Sequence, residues 1–226
     1  MTTTTVTPPD DPAVARRKQR LAYTSWIEQV SREDPGARSA LRSGVRRGIN
    51  EVPRMHRLVA TWLPRNRQAS EQEQQAYYAV AAMIADQPRS SYTASADPGP
   101  DAGKPAAMRR YGASLGAAFA LAITQSPGRE REMREGTAER RLNLLTRQST
   151  SGLHRHLPAA VRYLRDLDVP VDWAQLLDDL IAWPVHSGQI SRRWLQDYYR
   201  LRAKADQDKA DTADQQELTA PDQLDA

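Results

Sequence analysis

Arginine is the residue type best placed to do chemistry in this chain, and its spacing gives a first reading. In the segment ARSALRSGVRRGI, residues 37–49, Arg38, Arg42 and Arg46 recur every four positions, as do Ala37, Leu41, Val45 and Ile49. One residue turns a helix by about 100°, from ~3.6 residues per turn, so the two rows run side by side. The apolar row faces the core and the cations flank it. Like charges on successive turns repel by a few tenths of a kcal/mol per pair. The one acid three or four residues from any of the three is Asp34, placed to cap the helix. Uncompensated guanidiniums suit phosphates, which accept paired hydrogen bonds from arginine. A solvated face, with aliphatic stems lying over apolar surface, fits the same spacing.

A second basic stretch runs from Thr137 to Arg165. It holds six arginines (140, 141, 147, 155, 162 and 165) against one acid, Glu139. Two basic clusters in separate helices are what a continuous cationic track requires, and surface solvation is again the competing reading.

Other chemistry fits less well. His154 and His156 are two apart and so diverge on a helix, whereas metal ligands on one helix need a spacing of three or four. Adjacent Asp178 and Asp179 also diverge, as partners for arginine on a helix face do. Phosphate-loop, dinucleotide-binding and serine-nucleophile motifs are absent from the sequence. Gly44 and Gly48, four apart, read as close backbone packing. The five tryptophans fall at core spacing. No catalytic set, metal site or cofactor is expected.

The 226 residues carry a net charge of +4 from 28 Arg, 4 Lys and 28 acids, but unevenly. From Lys204 to Ala226 two lysines face seven acids, so the remainder of the chain is +9. Apolar residues make up 39%, below the roughly 45–50% of an average soluble domain. No run reaches the ~18 apolar residues of a membrane span, and MTTTTVTPPDDP lacks the regions of a signal peptide. There is no cysteine, which excludes disulfides, thiolate metal sites and a thiol nucleophile. A cytoplasmic location is the expectation.

The elements that must position the arginines read as helices throughout. Helices are predicted over Ala13–Val30, Pro35–Ile49 (capped by Asp34), and from Pro53 until Pro64. A capping box at Ser70–Glu73 opens another. Further helices are predicted over Met108–Ile123, from a cap at Thr137, and over Thr150–Leu167. The next starts at Asp172, with Gln175 completing its box and Val171 and Leu176 its staple; the last starts near Ser191. Residues 87–104 read as a long mobile loop, residues 1–12 as a disordered start and residues 204–226 as a disordered acidic tail. The architecture predicted is all-α: a bundle of eight or nine helices over residues 13–203, in two packed lobes.

Short motifs, in order, resemble the CasB family, the small subunit of the type I-E CRISPR surveillance complex Cascade. They are Tyr23-Thr24-Ser25-Trp26, the basic segment from Ala37 to Arg47, Val52-Pro53 leading to His56-Arg57-Leu58-Val59, and Gly112 to Gly116. Glu139-Arg140-Arg141-Leu142, Arg162-Tyr163-Leu164, Val171-Asp172-Trp173 and Leu180-Ile181-Ala182-Trp183 follow. The resemblance spans about Ala22 to Tyr199. It implies an all-helical, non-catalytic subunit that holds the guide RNA–target DNA duplex and the displaced DNA strand in antiviral defence. It also implies CRISPR RNA, the large and backbone subunits and a second copy of the chain as partners. Matched by motif, the nucleic-acid-binding residues are Arg42, Arg140, Arg141 and Arg162; helical geometry adds Arg38 and Arg46. Arg89, Lys104, Arg109 and Arg110 are further candidates near the long loop. Two alternatives stand beside this: a helix-turn-helix regulator, with Arg38 to Trp62 as the reading pair, and an adaptor that binds only protein.

Overall fold

A computed structural model describes residues 11–64, 68–88, 113–124 and 132–219. The described residues form α1 (Pro12–Glu33), α2 (Pro35–Arg42), α3 (Pro53–Val59), α4 (Glu71–Asp86), α5 (Leu115–Ile123), α6 (Glu135–Thr146), α7 (Thr150–Asp166) and α8 (Trp173–Thr219). Short 3-10 turns lie at Ile49–Glu51 and Ala60–Trp62. The protein is an all-α bundle, as the periodicity predicts.

The capping residues act as their types dictate. Asp34 accepts from the amides of Gly36 and Ala37, Ser70 from Glu73, and Asp172 from Gln175. Each satisfies a donor that the first helical turn leaves orphaned. The helix α4 is buried almost all round from Ala76 to Ala85, the pattern of a central helix. It packs against α1, α2, α3, α7 and α8. The core is one cluster running from Tyr23 to Tyr198, so the parts before and after residues 87–104 share it. Trp183 and Trp194 are buried, with ring centroids 5.2 Å apart; Trp26 and Trp62 pack on the core's edge.

Buried charges pin the layers together. Arg17 pairs with Asp172, and Arg20 with Asp178 at 3.0 Å while lying over the Tyr77 ring. The buried Asp179 accepts from Gln175 Nε2, Trp194 Nε1 and Arg193. Burial pushes the carboxyls of Asp178 and Asp179 up, against the pull of Arg20 and Arg193 respectively. The two aspartates diverge and partner arginines, as read from their adjacency.

Four boundaries differ from expectation. The second helix ends at Arg42, not Ile49, and Arg46 is left-handed with φ 63°. The row Arg38–Arg42–Arg46 is therefore broken after its second member. The cause is not local. Gly44 lies so close to Met55 that a Cβ would sit 2.3 Å from its Sδ, and the Gln75 side chain binds the Arg47 carbonyl and the Ile49 amide. Second, α6 starts at Glu135, which puts Thr137 inside the helix. Third, the break predicted between Trp183 and Ser191 is present but is confined to one non-helical residue, His186 (φ −121°, ψ 23°), so the helical segment before it runs through Pro184, which lacks a donor for the Leu180 carbonyl. Fourth, α8 continues past Ala203 to Thr219, where the composition predicts disorder. Alanine, glutamine and lysine propagate a helix already nucleated on a packed core. The predicted loop candidates Arg89, Lys104, Arg109 and Arg110, and the first ten residues, lie outside the described residues.

Candidate nucleic-acid interface

The C-terminus of α4 ends in carbonyls with no partner in their own helix, and arginines from two other helices satisfy them. Arg38 donates from Nε to the Ala85 carbonyl at 3.0 Å and from Nη2 to the Gln87 carbonyl at 2.8 Å. Arg162, on α7, donates to the Asp86 carbonyl at 2.7 Å and to the Asp166 carboxylate at 2.9 Å. Arg42 lies 3.0 Å from the Asp86 carboxylate, and Arg162 reaches the same oxygen at 3.4 Å. Arg38, Arg42 and Arg162 thus meet at one helix end. Both guanidiniums on Asp86 stay accessible, with Arg42 52% and Arg162 41% exposed. Arg38, Arg42, Val45 and Asp86 line a depression of about 450 Å³.

The second predicted cluster divides. Arg141 stacks its guanidinium 4.6 Å from the Tyr163 ring centre, next in sequence to Arg162. Arg140 is exposed, and its neighbour Glu139 accepts from the Tyr199 hydroxyl at 2.7 Å. Arg165 is buried and binds Gln87 and the Val169 carbonyl, a structural role.

Arg46 faces a different depression, of about 510 Å³, which shares Val45 as a wall with the first. It also contains Arg47, Arg155 and the first turn of α7. Arg155 belongs to the second basic stretch and Arg47 to the basic segment from Ala37, neither with a predicted contact, and Gln75 carries no predicted role. Only the broken helix brings Arg46 and Arg47 to α7. His154 also lines the depression, and burial pulls its imidazole down to about 4. His156 is exposed. Among the described residues no group of His, Asp and Glu is placed to hold a metal ion. No helix among them is long and apolar enough to cross a membrane. The α2–α3 pair is joined by residues 43–52, longer than the 3–4-residue turn of a helix-turn-helix unit.

Comparison with known proteins places this arrangement. Residues 37–199 match the family described as CRISPR-associated protein Cse2 (CRISPR_cse2). A chain of a solved "CRISPR RNA-guided surveillance complex" is 32% identical; the match covers 86% of this chain and 99% of that one, with a TM-score of 0.69. A chain of a second such complex, described as "pre-nicking", is 31% identical over 85% of this chain and 98% of that one, with a TM-score of 0.70. CasB from M. ruber shares the fold at 23% identity, covering 84% of this chain and 97% of that one, with a TM-score of 0.59. No curated protein sequence matches. With the family match spanning most of the chain, and relatives above 30% identity covering 85–86% of it, the protein belongs to the Cse2 family of CRISPR-associated proteins.

Proposed function

We propose that this chain is the small subunit of a type I-E CRISPR RNA-guided surveillance complex, and that it works by holding nucleic acid, without catalysis. The observation that carries the reading is its likeness, above 30% identity and over nearly the whole chain, to chains of two such complexes. Its partners are then CRISPR RNA, target DNA, the displaced strand, the large and backbone subunits and a second copy.

The arginines supply the physical means. Opening a target duplex exchanges DNA pairs for guide–target pairs at nearly balanced free energy. A protein that holds backbone phosphates tips that balance. Such contacts carry no base information, so the guide keeps sequence specificity. Arg38, Arg42 and Arg162 at the end of α4, with Arg46, Arg140 and Arg141, are the proposed contacts. Arg42 is an accessible guanidinium held by Asp86, and the half-buried Arg141 is held over the Tyr163 ring.

The test has two parts. The tagged chain should co-purify with CRISPR RNA and other subunits of the complex; purification alone would overturn the reading. Within the complex, Arg42→Glu with Arg141→Glu should weaken target-DNA binding about equally for every sequence. An unchanged affinity and salt slope would remove both residues from the interface.

A further inference from the structure

The depression around Arg46 has a property the α4 terminus lacks. Arg38, Arg42 and Arg162 already hold a carbonyl or carboxylate. Among the described residues the guanidiniums of Arg46, Arg47 and Arg155 make no hydrogen bond or ion pair, although they come from two separate elements. Glu71 is the single acid in the lining, facing three arginines.

The backbone that carries two of these arginines is also held in place. Gln75, in the second turn of α4, holds the turn at both ends: its Nε2 donates to the Arg47 carbonyl at 3.0 Å, and its Oε1 accepts from the Ile49 amide at 3.1 Å. Arg46 is kept at φ 63°, a region that an L side chain adopts at a cost of about 1 kcal/mol or more. The Arg46 side chain itself is exposed. The opposite wall is the start of α7. Thr150 and Ser151 line it, and Arg155 stands one turn further on. The positive end of a 17-residue helix adds to the same field.

We infer that the groove of Arg46, Arg47 and Arg155 seats the sugar–phosphate backbone of a single nucleic-acid strand. The inference rests on the nucleic-acid-holding role proposed above and locates a contact outside the residues assigned there, Arg46 excepted. The charge selects a polyanion. No Trp, Tyr or Phe lines the groove, so bases find no stacking platform and the seat is indifferent to sequence. At about 510 Å³ the hollow is the size of a small-ligand pocket. A flexible strand can bend into it. Duplex DNA, stiff over ~150 base pairs, meets only its rim.

The experiment is fluorescence anisotropy with the full chain, a labelled oligodeoxythymidine and a duplex of the same length, across a salt series. Arg46→Ala, Arg47→Ala and Arg155→Ala together should weaken single-strand binding about tenfold or more. They should lower the salt slope by about two, from three contacts at ~0.7 each. The duplex should bind more weakly than the single strand and be less affected. Arg155→Glu alone, on a different element from the turn, should reproduce the loss, and melting temperature checks that each variant is folded. If the triple variant binds like wild type while Arg42→Ala with Arg162→Ala loses affinity, the groove is not the seat and the holding role stands. If the wild-type chain does not bind the strand at low salt, the groove inference fails; the co-purification test then decides the role separately.

Discussion

Arg42 and Asp86 are joined by a 3.0 Å contact that links the end of α2 to the end of α4. An acid at a helix C-terminus opposes the helix dipole, so Asp86 sits where its charge is unfavourable unless arginines surround it. A phosphate approaching Arg42 or Arg162 must compete with that carboxylate. Asp86→Asn should therefore raise nucleic-acid affinity about three- to tenfold and steepen the salt slope by about one, from one or two freed contacts. Folding stability should move by less than about 1 kcal/mol, since exposed pairs contribute little. An anisotropy titration with and without added salt checks this. No gain in affinity means that these two arginines tie α2 and α7 to the end of α4 and do nothing more.

His154 gives a pH dependence with a defined sign. Its folded value, lowered to about 4 by burial, lies below the ~6.5 of an unfolded histidine. The unfolded chain therefore binds more protons between these limits. The contribution to stability is complete above about pH 6.5 and is lost as pH falls toward 4. Its ceiling is roughly 3 kcal/mol, from ~1.36 kcal/mol per unit. Urea midpoints measured from pH 7 to 4 should fall for the wild type and fall less for His154→Gln. Parallel curves would show that the ring is not the group responsible.

Gly116, in the first turn of α5, lies against the backbone of α8. A Cβ there would sit 1.7 Å from the Trp194 carbonyl oxygen. The obstacle is main chain within a helical segment and cannot rotate away. Gly116→Ala should cost about 3 kcal/mol or more, at the upper end of overpacking effects, read from chemical denaturation. A near-wild-type midpoint would mean that α5 and α8 can slide apart cheaply.

Removing residues 204–226 takes away a net charge of −5. Because α8 stays helical to Thr219, with residues 206–215 exposed, its acids act on nucleic acid through the long-range field. The truncated chain should associate with DNA faster and more tightly at low salt. That difference should shrink at about 0.15 M, where the Debye length is ~8 Å. A gain that persists at high salt would point to direct contact between tail and basic surface.

The helices are legible where an uninterrupted apolar period carries the signal, as from Tyr77 to Ile84, and where a cap has an unambiguous type, as at Asp34, Ser70 and Asp172. The end of α2 is not legible, because its determinants are distant: Met55 crowds Gly44, and Gln75 binds the following turn. The same non-locality governs the site. Spacing places Arg38 and Arg42 on one face correctly. It cannot show that Asp86 waits for Arg42, or that Arg46 leaves the row to join Arg47 and Arg155. The two glycines flanking this arginine pair are the one local clue to the turn.

The burial of α4 also fixes a length. Its second turn braces one arginine group through Gln75, and its last residue anchors the other through Asp86. Those two residues are about 16 Å apart along the axis, at ~1.5 Å per residue. A packed helix neither stretches nor bends readily, so α4 serves as a ruler. Any extended polyanion touching both ends must match that interval with its own charge repeat, and a ligand of the wrong pitch can occupy only one end at a time.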